Sequence, residues 1–273
     1  MKYFTYALMM ISLALGACNE KVEKKEIVTE KAEAVYSGKN QLTAAVWYQN
    51  SAENKAIYLQ TYKLAESALI ESMKGKHTKP VALITDLDET AVDNSPFNAR
   101  LAKTGELYTK ELWSKWVSAG KAKALPGAVE FFNFAKESGV EVFYLSNRHI
   151  KNLVPTMENM TKLGFPNVEE KFFYLKTETS NKTVRRDSIL KNYDVIMYLG
   201  DNLNDFTHEF GDRDSTDFGA SVVEKHKADF GSKFIIFPNP MYGEWEKAAF
   251  HNDYGKTPAE KIKTMLNDLD DSF

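Results

Sequence analysis

The apolar positions of the chain fall into short unbroken runs separated by longer stretches of helical period. Residues 81–85 read VALIT, and 140–145, 172–175, 194–199 and 233–237 repeat the pattern. Runs apolar at successive rather than alternate positions are expected of parallel strands covered on both faces. Between them the period changes. Tyr58, Tyr62, Ala65, Leu69 and Met73 recur three or four residues apart, which sets one face of a helix against a core. Asn50-Ser51 divides 42–73 into two helices with Ser51 as a cap, and Gly75 ends the second. After the first apolar run, 103–120 carries Leu107, Leu112, Trp113, Trp116 and Val117 and reads as one or two inserted helices. Pro126-Gly127 opens a helix that runs to Gly139. Further helices are expected up to Leu163, closed by Gly164, over the basic stretch 180–191, and over 257–269. Strands alternating with helices predict βαβ units, hence an α/β fold with a doubly wound, Rossmann-like parallel sheet and a small helical cap or flanking subdomain.

The start of the chain follows a different pattern. Met1-Lys2 precedes an apolar stretch over 6–15, then Leu15-Gly16-Ala17-Cys18. The stretch is too short to span a bilayer as a helix and reads as a signal peptide. Small residues followed at once by cysteine resemble the bacterial lipobox. Cys18 is then the lipidated first residue of the mature protein, anchoring it to a membrane. An ordinary signal peptide with an incidental cysteine is the alternative. Residues 19–37 are rich in Lys and Glu and read as a flexible tether or a short charged helix. The expected organisation is a signal peptide at 1–17, a tether at 18–37, and one folded domain at 38–273 with a helical insertion at about 97–122.

Composition removes several classes of function. The 273 residues are 43% hydrophobic and 27% charged, enough for one sizeable core. A net charge of −3 argues against binding a nucleic-acid polymer, which calls for a basic face. One cysteine excludes a disulfide within the chain. The five histidines form neither HxxxH nor HExxH, so a zinc site is not expected. The RHGxRxP signature of histidine phosphatases is absent.

What remains is acidic. Asp86 and Asp88 follow the first run two residues apart, Ser146-Asn147-Arg148 follow the second, and Asp201 and Asp205 follow the run at 194–199. In a parallel sheet these ends share one edge, where open α/β folds bind ligands. Adjacent carboxylates repel unless a cation lies between them. A hard divalent metal with a phosphate ester suits such a place. Lys182, or its rival Lys176, adds a fixed positive charge. A carboxylate nucleophile, a metal and a lysine are the parts of phosphoryl transfer. Taken singly, the residues permit blander roles: Asp86 and Asp88 as turn formers, Ser146 as a helix cap, Arg148 as a surface ion pair.

Asp86-Leu87-Asp88-Glu89-Thr90, Ser146 after a strand, a downstream lysine, and Gly-Asp-Asn-Leu-Asn-Asp-Phe at 200–206 resemble the haloacid dehalogenase (HAD) superfamily. Within it they are similar to the class C acid phosphatases, bacterial outer-membrane lipoproteins that act as 5′-nucleotidases. Asn-Pro-Met-Tyr-Gly at 239–243 fits the same family. The resemblance implies a HAD-like domain over the mature chain and an Mg²⁺-dependent phosphomonoesterase facing the periplasm or exterior. Asp86 is then the nucleophile that forms an aspartyl-phosphate. Asp88 protonates the leaving alkoxide and later deprotonates water. Mg²⁺ is held by the side chains of Asp86 and Asp201 and the carbonyl of Asp88, with Asp205 orienting metal-bound water or adding charge. Ser146 bonds the phosphoryl oxygens, and Lys182 matches the motif lysine better than Lys176. Phe97, Trp113 and Tyr242, with Asn147 and Arg148, are the substrate-binding candidates, the three rings as stacking faces for a nucleobase. Phe97 stands where the family commonly has tyrosine, and Trp116 and Trp245 read as core. Dimerisation is typical of the family. The alternatives are a phosphatase of sugar phosphates or pyridoxal phosphate, and a non-catalytic surface binding lipoprotein.

Overall fold

The computed structural model describes residues 41–272 apart from 212, 214, 215 and 254. The signal peptide, Cys18 and the tether lie outside the described residues. The first apolar run forms β1 (Val81–Thr85), with Ala82, Leu83 and Ile84 buried on both sides. It is central in a five-stranded parallel sheet of order β5-β4-β1-β6-β7. The other strands are β4 (Glu141–His149), β5 (Phe173–Lys176), β6 (Asp194–Gly200) and β7 (Phe234–Ile236). The chain leaves β1 through β4 to β5, then crosses back to place β6 and β7 on the other side. That reversal makes the β1/β6 junction the switch point where a crevice opens beyond the carboxyl ends of the strands. Asp86 N–H donates to Leu199 O at 2.9 Å, so the pairing of β1 with β6 extends one residue past β1 and ties Asp86 to the strand that precedes Asp201.

The expected break at Asn50-Ser51 separates α1 (Leu42–Asn50) from α2 (Ala52–Ser72), with Ser51 Oγ accepting from Asn54 N–H at 3.1 Å. This helical pair does more than cover the sheet. Tyr58 and Tyr62, on the buried face of α2, donate their hydroxyls to the carbonyls of Glu89 and Thr90, each at 2.6 Å. Their rings pack on Phe237 just past β7. The acidic loop after β1 is thereby clamped from outside the sheet, and Glu89 is held at φ 54°, a left-handed conformation that is uncommon for a side-chain-bearing residue.

The inserted region contains two helices, α3 (Ser95–Thr104) and α4 (Lys110–Ser118). A two-stranded antiparallel ribbon, β2 (Val92–Asp93) with β3 (Lys123–Ala124), closes its base; two residues per strand are too few to leave a periodic signal. The remaining helices are α5 (Ala128–Glu137), α6 (Leu153–Leu163), α7 (Thr183–Leu190), α8 (Ala220–Lys225), α9 (Glu244–Ala249) and α10 (Pro258–Asn267). The last begins with a capping box between Thr257 and Glu260. One expectation is corrected: the strand predicted over 140–145 continues to His149, because β5 pairs beside it as far as Lys176. Ser146 to Arg148 therefore lie within the strand, with a register break between Ser146 and His149. Among the described residues, no helix is long and apolar enough to cross a membrane.

Candidate active site

Three of the predicted polar clusters meet beyond the sheet. Lys182, the residue just before α7, puts its ammonium 2.6 Å from Asp86 Oδ1 and 2.6 Å from Asp205 Oδ1. It is only 6% exposed. Lys176 ends β5 and makes neither contact, so of the two lysines it is Lys182 that reaches the carboxylates. Asp86, Asp201 and Asp205 form one cluster, each offering an oxygen within 4.8 Å of the others. Asp205 folds back to accept from Asn202 N–H at 3.0 Å in a capping box. A Cβ at Gly200 would stand 2.4 Å from Asp205 Cβ and Oδ2, so only glycine leaves room for this return.

Asp88 turns the other way. Its Oδ1 accepts from Arg148 Nε at 2.9 Å, Arg148 Nη2 at 2.8 Å and Asn94 Nδ2 at 2.8 Å. Its Oδ2 has Ser146 Oγ at 3.4 Å. Ser146 is fully buried and accepts from Arg148 N–H at 3.1 Å. The two neighbouring acids thus have separate cations: Lys182 for Asp86, Arg148 for Asp88.

The substrate-binding candidates are dispersed. Arg148 is 3% exposed, and its guanidinium is taken up by Asp88, Asn94 and Thr156; it is neither a surface ion pair nor a free anion receptor. Asn147 is exposed, and its Oδ1 accepts from Arg185 Nη2 at 2.7 Å. Phe97 is buried beneath Trp113 and Tyr108, with ring centroids 5.0 and 6.2 Å away, both edge-on. It supports an aromatic wall and offers no open face. Trp113 is half-buried on that wall, and Tyr108, which sequence reasoning passed over, is 58% exposed. The half-buried Tyr242 donates its hydroxyl to Glu89 Oε2. Of the two tryptophans read as core, Trp116 is partly buried and hydrogen-bonds Asn94, and Trp245 is exposed.

A family model described as HAD superfamily, subfamily IIIB (Acid phosphatase), matches residues 7–245. The chain belongs to this family. The class C acid phosphatase from Bacillus anthracis with tungstate bound is 38% identical, with a TM-score of 0.82 over 88% of this chain and 99% of that one. Acid phosphatase 1 of Solanum lycopersicum is 23% identical over 274 residues, 89% of this chain and 99% of that protein. The Stem 31 kDa glycoprotein of Glycine max is 27% identical over 165 residues; the match spans 58% of its length and 58% of this chain.

In this acid-phosphatase family member the electrostatics of the cluster are unbalanced. Burial pushes the Asp86 carboxyl up to about 7; Lys182 opposes the rise, and Asp205 and Asp88 add to it. Asp201 is pushed well above the carboxylate range by burial and then by Asp205 and Asp86, against a hydrogen bond from Asn239 Nδ2 at 2.8 Å. Lys182 is held above its usual value, because Asp205 and Asp86 together outweigh the burial that disfavours its charge. Three carboxylates thus share one ammonium, which leaves the oxygens short of positive charge. An all-oxygen, partly dehydrated set of this kind fits a hard divalent cation such as Mg²⁺. Asp86, Asp201 and Asp205 would hold it; the carboxylate of Asp88, engaged by Arg148, leaves only its carbonyl for that purpose.

Glu89 and Asn94 were not anticipated. Glu89 is fully buried between the acids, and burial followed by Asp88 and Asp201 raises its carboxyl well above the usual range. Its Oε1 accepts from Asn94 N–H at 2.8 Å. An acidic residue in a polar loop carries no pattern that distinguishes a buried, shared carboxyl from a solvated one.

Proposed function

We propose that the chain is a phosphomonoesterase that transfers the phosphoryl group of small esters, nucleoside 5′-monophosphates among them, to Asp86 and then to water. The observation that carries this reading is the division of labour between two acids two residues apart. Lys182 orients Asp86 towards the cluster. Asp88 has one oxygen saturated by three donors and the other turned to Ser146.

In the first half-reaction the Asp86 carboxylate attacks phosphorus, an Asp86–phosphorus bond forms, and the bond from phosphorus to the ester oxygen breaks. The departing oxygen takes a proton from Asp88, which carries it on Oδ2, since Oδ1 is occupied by Arg148 and Asn94. In the second half-reaction Asp88 accepts a proton from water, whose oxygen attacks phosphorus; inorganic phosphate leaves and Asp86 is regenerated. Ser146 and Lys182 supply donors to the phosphoryl oxygens. A bound Mg²⁺ adds charge stabilisation for the phosphoryl group and keeps Asp86 ionised. Binding of tungstate by the B. anthracis relative supports an oxyanion site of this kind.

Trp113 and Tyr108, seated on Phe97, form an aromatic wall whose Tyr108 lies within electrostatic reach of Asp88, and such a wall suits a nucleobase better than a sugar phosphate. The reading extends to the chain's start: a lipid on Cys18 anchoring the enzyme in the cell envelope, at the outer membrane, with the site facing the periplasm or exterior. Phosphate release from a nucleoside 5′-monophosphate and an aryl phosphate, with EDTA and after Mg²⁺ is restored, tests the proposal. Loss with EDTA, recovery with Mg²⁺ and silence of Asp86→Asn are expected. Turnover that survives in Asp86→Asn would overturn the nucleophile assignment.

A further inference from the structure

Asn94 is fully buried between the two halves of the site. Its side-chain oxygen accepts from Trp116 Nε1 at 2.8 Å and lies 3.4 Å from Arg148 Nη2. The indole N–H is a donor only, so it fixes which end of the amide faces it. The NH₂ end is then committed to Asp88 Oδ1, 2.8 Å away. Trp116 lies on α4, one turn beyond Trp113, whose ring rests edge-on against Phe97. The helix bearing Trp113 of the aromatic wall is therefore joined to the proton donor by two consecutive hydrogen bonds, Trp116 to Asn94 and Asn94 to Asp88. The backbone of Asn94 is fixed as well, by its N–H on Glu89 Oε1.

We infer that Trp116 and Asn94 are positioning residues that hold the Asp88 carboxyl with Oδ2 towards the leaving group, and that they couple the seating of the leaving group on α4 to its protonation. Neither residue touches the reacting atoms. The inference rests on the reading of Asp88 as the proton donor. It explains why a tryptophan from the inserted region reaches inward past its own helix, and why the loop after Asp88 needs an amide that is satisfied at both ends. Without the indole donor only the longer contact from Arg148 Nη2, at 3.4 Å, orients the Asn94 oxygen, and the NH₂ end is held less firmly on Asp88.

Leaving-group dependence of kcat/KM separates positioning from general structural support, because kcat/KM reports the step in which the ester oxygen departs. A nitrophenolate departs readily without a proton, whereas an alkoxide does not. In the full-length protein, Trp116→Phe keeps an aromatic ring but loses the indole N–H together with the second ring, so the comparison between esters, not the absolute loss, is the readout. Its kcat/KM is expected to fall about tenfold for an alkyl phosphate and by less than about twofold for p-nitrophenyl phosphate, a fraction of the range that general acid catalysis spans. Asn94→Ala should show the same selectivity, and Trp116→Phe should add nothing in an Asp88→Asn background. An equal fall on both esters in Trp116→Phe, with Asp88→Asn still selective for the alkyl ester, would overturn the relay while leaving the proposed reaction intact. An Asp88→Asn variant that is itself unselective would overturn the assignment of Asp88 and the relay with it.

Discussion

Arg148 meets Asp88 through two nitrogens on a single oxygen: Nε at 2.9 Å and Nη2 at 2.8 Å, both to Oδ1. The arginine side chain is 3% exposed and the aspartate 15%, so this pair is largely out of water. Truncating one partner of such a pair leaves the other charge buried and uncompensated, a loss of about 3–5 kcal/mol for a fully buried pair. Arg148→Ala is therefore expected to lower stability by about 2–4 kcal/mol. It should also slow hydrolysis of alkyl phosphates more than that of nitrophenyl phosphate. Thermal denaturation and kcat/KM on the two esters check this. Unchanged stability would mean that Arg148 is not committed to Asp88 in solution.

Lys182 and Lys176 separate cleanly by their contacts. Removing the ammonium at Lys182 takes from Asp86 and Asp205 the cation that hydrogen-bonds both of them, and takes away a donor from the phosphoryl group. Loss of one preorganised donor of this kind costs about 10²–10³ in rate. Lys182→Met should lose activity on that scale, whereas Lys176→Met should retain it within about threefold, as expected for a residue outside the donor set. Steady-state rates on one nucleotide substrate decide between them; comparable losses in the two variants would remove the distinction.

The sheet was readable because its strands are buried on both faces, and burial writes itself as apolar runs. Strand-end carboxylates were readable for the same reason: each breaks such a run abruptly. The Asn50-Ser51 break could be read from local chemistry. Other features left no trace. The tyrosines on α2 look like core positions by period, and nothing in that period says that their hydroxyls reach the carbonyls of Glu89 and Thr90. Arg148 sits in a polar triplet that suggests an exposed loop, yet Asp88, Asn94 and Thr156 take up its guanidinium in the interior. Trp116 and Trp113 share a helix and a residue type; only the tertiary placement of Asn94 gives one of them a hydrogen-bonding role. Side-chain direction within an insertion depends on what it packs against, and periodicity does not encode that.

Gly200 is a test of space rather than of chemistry. A methyl group there would collide at 2.4 Å with both Cβ and Oδ2 of Asp205, and the nearest atom on the rigid side is part of a capped turn that cannot withdraw freely. Gly200→Ala should displace Asp205 from Lys182 and weaken Mg²⁺ binding. The expected readout is a rise of about tenfold in the Mg²⁺ concentration that restores half-maximal rate, within the range seen when supporting groups of a metal site are lost. Wild-type Mg²⁺ response in Gly200→Ala would show that Asp205 does not need this position.

The raised Asp86 carboxyl makes stability depend on pH in a definite direction. Unfolded, its ordinary value is 3.8; folded and without metal, it is pushed up to about 7. Between these values the folded state binds the proton more tightly, so stability falls as pH rises from about 4 to about 7. The difference corresponds to at most about 4 kcal/mol, and Asp201 and Glu89, also raised by burial, act in the same sense. Lys182 titrates above this window and contributes a constant term within it. A divalent cation supplies the missing positive charge and offsets the loss. EDTA-treated protein should therefore melt at a lower temperature at pH 8 than at pH 5, and Mg²⁺ should raise the melting temperature more at pH 8. In Asp86→Asn the pH-dependent part of the difference should shrink. An Mg²⁺ effect of equal size at both pH values would contradict the crowding of carboxylates as its cause.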